Sequence, residues 1–146
     1  MQEDEKGRVR QATNEKDNRK IDAETKENLK KFSDADYEAI DDRIAELDAE
    51  WDVERTLQLN AASLALTGTV LGLLVDKRWL ALPVIVGSFL IQHAIQGWCP
   101  PLPILRKLGF GTRPEIDKEK FALKALRGDF RRTVNSPNKA WQSVQS

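Results

Sequence analysis

From Thr56 to Val75 no side chain carries a charge, and after Asp76, Lys77 and Arg78 the chain from Trp79 to Leu105 again holds no Asp, Glu, Lys or Arg. An uncharged helix of about 20 residues, rising ~1.5 Å per residue, covers the ~30 Å hydrocarbon core of a bilayer. Two such runs joined by three charged residues predict a transmembrane hairpin over 56–105. The alternative is a pair of buried helices in a soluble bundle. It is disfavoured because core helices seldom stay uncharged on every face for so long. The expected fold is therefore all-α: two transmembrane helices, flanked by a charged N-terminal helix and a basic C-terminal helix.

Composition supports this only once it is resolved along the chain. Charged residues make up 32% of the whole, which reads as a soluble protein. The charge is segregated, however. Residues 1–55 carry 18 acidic against 11 basic side chains, a net of −7, and residues 100–146 carry 4 against 10, a net of +6. The zero net charge thus hides an acidic arm and a basic arm. The first apolar run begins past residue 55 and has no cleavage pattern, so it is expected to act as an uncleaved anchor. With a single cysteine, Cys99, and a single histidine, His93, neither a disulfide framework nor a transition-metal site within one chain is expected, and no cofactor.

Residues 1–32 are polar enough to predict a disordered arm or a frayed helix, Val9 and Ile21 being the only large aliphatics before Leu29. Residues 33–55 read as an acidic amphipathic helix. Ser33 is the expected N-cap and Asp36 its capping-box partner. Tyr37, Ile40, Ile44, Leu47 and Trp51 form an apolar stripe at steps of 3, 4, 3 and 4, and the pattern runs into the first span without Gly or Pro. Residues 106–134 read as a basic interfacial or cytoplasmic helix, and 135–146 as a loose tail. The tripled prolines Pro100, Pro101 and Pro103 are expected to stop the second span, with Ile104, Leu105, Leu108 and Phe110 interfacial around Arg106 and Lys107.

Inside the spans, Asn60, Ser63 and Thr67 share one face, and Ser88, Gln92 and Gln96 share another with His93 beside them. If the hairpin folds about Lys77 the two sets lie at matching depths. A buried amide in hydrocarbon is costly without a partner, so these residues are the candidate intramembrane cluster bonding one helix to the other. Gly68 and Gly72 form a G-x-x-x-G step, which allows close helix packing either inside the hairpin or between two chains. Trp79 and Trp98 bracket the second span as interfacial aromatics do. Basic residues near the span ends number five on the terminal side (Arg43, Arg55, Arg106, Lys107, Arg113) against two in the loop. That places both termini in the cytoplasm.

Three segments together resemble a known family: Val53-Glu54-Arg55 entering the first span, Gly97-Trp98-Cys99-Pro100 leaving the second, and Leu105-Arg106-Lys107-Leu108-Gly109 after it. They look like the YgaP-like inner-membrane domain, a bacterial two-helix module of unknown function, over roughly 53–111. Residues 115–130 look like an extension seen in some members. The resemblance implies a multi-pass protein of the bacterial inner membrane. Some relatives carry the module behind a rhodanese domain, but this chain has no such domain and that activity does not transfer.

No nucleophile–base pair, phosphate loop or paired-carboxylate cleft is legible, so no catalytic residue is assigned and the chain is not expected to be an enzyme. Two functions remain in competition. One is a membrane-anchored interaction or scaffold module whose partners are the bilayer, a second copy of the chain or a cytoplasmic protein. The other is a sulfur or redox relay through the Cys99 thiol, working with a separate sulfurtransferase. Nucleic-acid binding is not expected, since the basic arm has neither a recognised motif nor interleaved aromatics.

Overall fold

A computed structural model of the chain describes residues 7–132 and 136–145, and all regular structure among them is helical. The chain divides into two compact units. The first comprises Met1–Ile21 and Trp51–Arg113, the second Asp22–Glu50 and Pro114–Ser146.

The first unit is built on α4 (Val53–Leu74) and α5 (Ala81–Gln96), which pack side by side. Asp52 starts α4 by accepting the Arg55 amide at 2.7 Å, satisfying a donor that the first turn cannot. The helix has 22 residues, about 33 Å. The chain reverses at Asp76, whose carboxylate accepts the Arg78 amide at 2.8 Å and caps a 3-10 turn over Lys77–Leu80. Pro83 follows in the first turn of α5, where a missing N–H leaves no intrahelical bond unmade. Gly97 ends α5 in the left-handed conformation, φ 75°.

Gly68 and Gly72 are both buried against the start of the returning chain. A Cβ on Gly68 would lie 2.7 Å from Pro83 Cδ, and one on Gly72 would lie 2.5 Å from Leu80 Cδ2. Of the two roles open to the G-x-x-x-G step, the structure therefore has packing inside the hairpin.

The N-terminal segment, expected as a disordered arm or a frayed helix, is helical over most of its described residues. Residues 1–6 lie outside the described residues, but α1 (Arg8–Gln11) and α2 (Glu15–Phe32) are helical, and Val9, Asn18 and Ile21 are buried. Val9 joins Val53, Leu57, Cys99, Leu102 and Leu105 in the core at the base of the hairpin. Val9 needs few apolar neighbours in its own segment because the hairpin base supplies the surface it buries against.

The second unit sets α3 (Tyr37–Ala49) against α7 (Arg113–Arg127) from Pro114 onward. Its core joins Ile40, Ile44 and Leu47 to Ile116 and Leu123, with Leu29, Phe32 and Ala35 packed on it. Three sequence expectations shift. The N-cap is Asp36, accepting the Ala39 amide at 3.0 Å, while Ser33 turns back to the Lys30 carbonyl at 2.8 Å. Tyr37 and Trp51 drop out of the buried stripe, at 65% and 42% exposed. The helix also stops at Ala49 instead of running into α4, because Asp52 starts a new helix and the Val53 amide donates to the Gly111 carbonyl at 3.0 Å. In the segment expected as a loose tail, Pro137–Gln145 forms α8, while 133–135 and 146 lie outside the described residues.

The acidic and basic segments meet within this unit. Lys120 Nζ lies 2.5 Å from Asp48, Arg127 Nη1 lies 2.5 Å from Asp41, and Arg43 Nη2 lies 3.0 Å from Glu119. Glu119 also accepts from Asn28 Nδ2 at 3.2 Å. The pairs differ in exposure: the Asp48 and Asp41 carboxylates reach solvent, and a screened pair such as Lys120–Asp48 is worth ~1 kcal/mol or less, whereas Arg43 and Glu119 are only 21% and 7% exposed.

Candidate functional site

The base of the hairpin gathers three of the residues singled out in the sequence, Asn60, His93 and Cys99. Between α4 and α5 a half-open crevice of about 210 Å³ is lined by Leu57, Asn60, Ala61 and Leu64 from one helix and Val86, Phe89, Leu90 and His93 from the other, with Cys99, Pro100 and Pro101 at its end. Its walls are almost wholly apolar.

Cys99 is only 5% exposed and belongs to the core of the unit. Burial pushes its thiol above the usual range, and the thiolate is the form that nucleophilic or redox chemistry uses. Its packing beneath Val9 is that of a small apolar residue.

The candidate intramembrane cluster is organised differently from its expected cross-helix pairing. Asn60 Nδ2 donates to the Thr56 carbonyl at 3.0 Å, Thr67 Oγ1 to that of Ser63 at 2.8 Å, and Ser88 Oγ to that of Val84 at 2.8 Å. Gln92 Nε2 reaches Gln96 Oε1 at 3.4 Å on the same helix. Asn60, Ser63, Thr67, Ser88 and Gln96 are exposed, and His93 Nδ1 makes no hydrogen bond among the described residues. The Thr67 and Ser88 hydroxyls, and the Asn60 amide, are satisfied one turn back on their own backbone, so matching depth imposes no pairing across the hairpin. The glycine contact at the other end, not a polar zipper, brings the helices together.

What sequence reasoning missed is a polar clamp at the hairpin base. Arg106, placed by its sequence context at an interface, is fully buried. Its Nη2 donates to Asn18 Oδ1 at 2.8 Å and its Nη1 to the Phe110 carbonyl at 3.0 Å. Asn18 Nδ2 in turn donates to the Arg10 carbonyl at 3.0 Å. Beside it, the Arg8 guanidinium donates to the Ala94 carbonyl, and the Arg8 backbone lies where a side chain on Gly97 would be. The only signal in the sequence was the isolated pair Val9 and Ile21, too sparse to mark a docking segment.

Trp51, Trp79 and Trp98 remain partly exposed, and Trp51 carries the Arg55 guanidinium 4.4 Å above its ring. Among the described residues no three His, Cys, Asp or Glu side chains come together as metal ligands would. Compared with known proteins, the chain matches no family, no curated protein and no solved structure. Two of its helices, one ending at Leu74 and the other running Lys77–Gln96, are long and apolar enough to cross a membrane.

Proposed function

We propose that this chain is a membrane-anchored interaction or scaffold protein. In this reading α4 and α5 cross the bacterial inner membrane as a hairpin, with both termini in the cytoplasm. The hairpin tethers the unit built on α3 and α7, which offers itself to a cytoplasmic partner or a second copy.

The observation that carries this reading is what α4 and α5 leave uncovered. Only 17% of the apolar window of the first span, and none of the second, is buried within the protein. Leu66, Leu73, Leu74, Val84, Ile91 and Ile95 are each 63–79% exposed. Burying a Leu or Ile side chain is worth ~1.5–3 kcal/mol, so leaving these six in water forfeits on the order of 10 kcal/mol. That equals the whole stability of a typical domain, ~5–15 kcal/mol. A bilayer removes the penalty. The five-against-two bias of basic residues supports the orientation. The likeness of Gly97-Trp98-Cys99-Pro100 to the YgaP-like module supports the bacterial setting. The thiol-relay alternative loses support from the burial of Cys99.

Fractionation tests the reading directly. The expressed chain should sediment with membranes, resist carbonate extraction and need detergent to remain monodisperse. Fusions at residue 146 should be fluorescent with green fluorescent protein and inactive with alkaline phosphatase. A chain that stays soluble and monodisperse without detergent rules out the hairpin, and an active phosphatase fusion reverses its orientation.

A further inference from the structure

The segment just past α5 has an unusual surface. In α6 (Leu102–Lys107), Leu102, Leu105 and Arg106 face the core and are 9% exposed or less. A short amphipathic helix at a water interface turns charged residues outward on the opposite face. Here that face is apolar. Ile104 is 63% exposed, Leu108 69% and Trp98 38%, and Pro100, Pro101 and Pro103 are exposed between them. From Trp98 to Leu108 every exposed side chain is apolar except Lys107. Single exposed leucines are ordinary, but a run of this kind along one helix flank is not.

Backbone and charge point the same way. The three prolines bring no N–H donors to the start of α6, and the Leu102 amide donates to the Cys99 carbonyl at 3.1 Å, so this end carries few polar groups that need water. At the other end Lys107 is exposed, and Lys20 Nζ donates to its carbonyl at 3.4 Å. An apolar flank bordered by two ammonium groups has the chemistry of the headgroup zone of an anionic bilayer, where lysine stems lie along apolar surface and their heads reach phosphate.

We infer that the exposed flank of Trp98–Leu108 beds α6 into the headgroup–acyl boundary of the bilayer that the hairpin spans, with Lys107 and Lys20 on anionic lipid phosphates. This fixes the depth of the hairpin base: Trp98 sits at the interface and the Arg106–Asn18 clamp just outside the hydrocarbon. The inference rests on the membrane-spanning reading, and its test separates the two.

The full chain, with Cys99→Ala and one nitroxide label at a time, is reconstituted in phosphatidylglycerol–phosphatidylcholine vesicles. Collisions with oxygen and with a water-soluble nickel chelate then report depth. A label at Leu66 marks the span and one at Asp34 marks water. A label at Leu108 or Ile104 should read shallow lipid, between those references, and Lys20→Gln with Lys107→Gln, or pure phosphatidylcholine, should move it toward water. A Leu108 label matching Asp34 while Leu66 reads lipid overturns the inference and leaves the hairpin standing. A Leu66 label in water removes both. A variant keeping Cys99, with Trp98 as its only tryptophan, provides a second readout. Its fluorescence should be quenched best by bromines placed near the headgroup, and quenching strongest at the chain ends, or no quenching at all, also overturns the inference.

Discussion

Adding one methyl group at Gly68, Gly72 or Gly87 discriminates between a hairpin held by close backbone packing and one held by side-chain bonds. All three lie in apolar helices, and Gly→Ala there gains up to ~1 kcal/mol of intrinsic helix propensity. At Gly87 nothing lies within 4 Å of the added Cβ, so only that gain remains. At Gly68 the Cβ lands 2.7 Å from Pro83 Cδ and 2.9 Å from Leu82 Cβ. A proline ring cannot swing aside and a Cβ moves only with its backbone, so the helices must separate. Overpacking of this kind costs ~1–3 kcal/mol. Subtracting the Gly87→Ala result cancels the propensity term and leaves that cost alone. Gly72→Ala should fall between the two, since its 2.5 Å contact is to the end of a leucine that can rotate, although the Leu80 amide at 3.2 Å limits the relief. The assay is reversible unfolding in mixed micelles of rising SDS fraction, followed by circular dichroism. Equal midpoints for Gly68→Ala and Gly87→Ala would refute the packing argument. If Gly68→Ala instead abolished a dimer and left the monomer midpoint unchanged, the glycines would serve a contact between chains.

Four further outcomes are expected. Asn18→Ala should destabilise the first unit by ~1.5–3 kcal/mol, because it removes an acceptor from the buried Arg106, and the shift in midpoint measures it. In a double-mutant cycle, Lys120→Gln with Asp48→Asn should couple by ~1 kcal/mol or less and lose the coupling in high salt, whereas Arg127→Ala should cost more, its side chain being 5% exposed between Asp129 and Asp41. Burial, with the neighbouring Lys120 and Arg127 charges, pulls Lys124 below its ordinary 10.5. The unfolded chain then binds more protons between the two values, so stability rises with pH across that window, and Lys124→Met should flatten the rise in denaturation curves. Cys99 should react with maleimide far more slowly in the folded protein than in SDS, because its buried thiol is held protonated.

The local pattern of the chain was enough to locate the two apolar helices, the stripe of Ile40, Ile44 and Leu47, and the charge contrast of the two arms. Each depends on composition or periodicity within a few turns, and a run of twenty uncharged residues admits few conformations. Tertiary structure decided what depends on partners far away in the chain. Val9 and Ile21 are too few to form a core of their own, yet both are buried, Val9 among Val53, Leu57, Cys99, Leu102 and Leu105 at the hairpin base. Arg106 reads as an exposed interfacial cation until Asn18, 88 residues earlier, is brought to its guanidinium. The polar stripes of α4 and α5 met the opposite fate, because the Thr67 and Ser88 hydroxyls and the Asn60 amide found acceptors on their own helices and the expected pairing lost its driving force. Spacing along the chain shows which groups need partners, and only the packed structure shows whether the partner is one turn back or at the other end of the sequence.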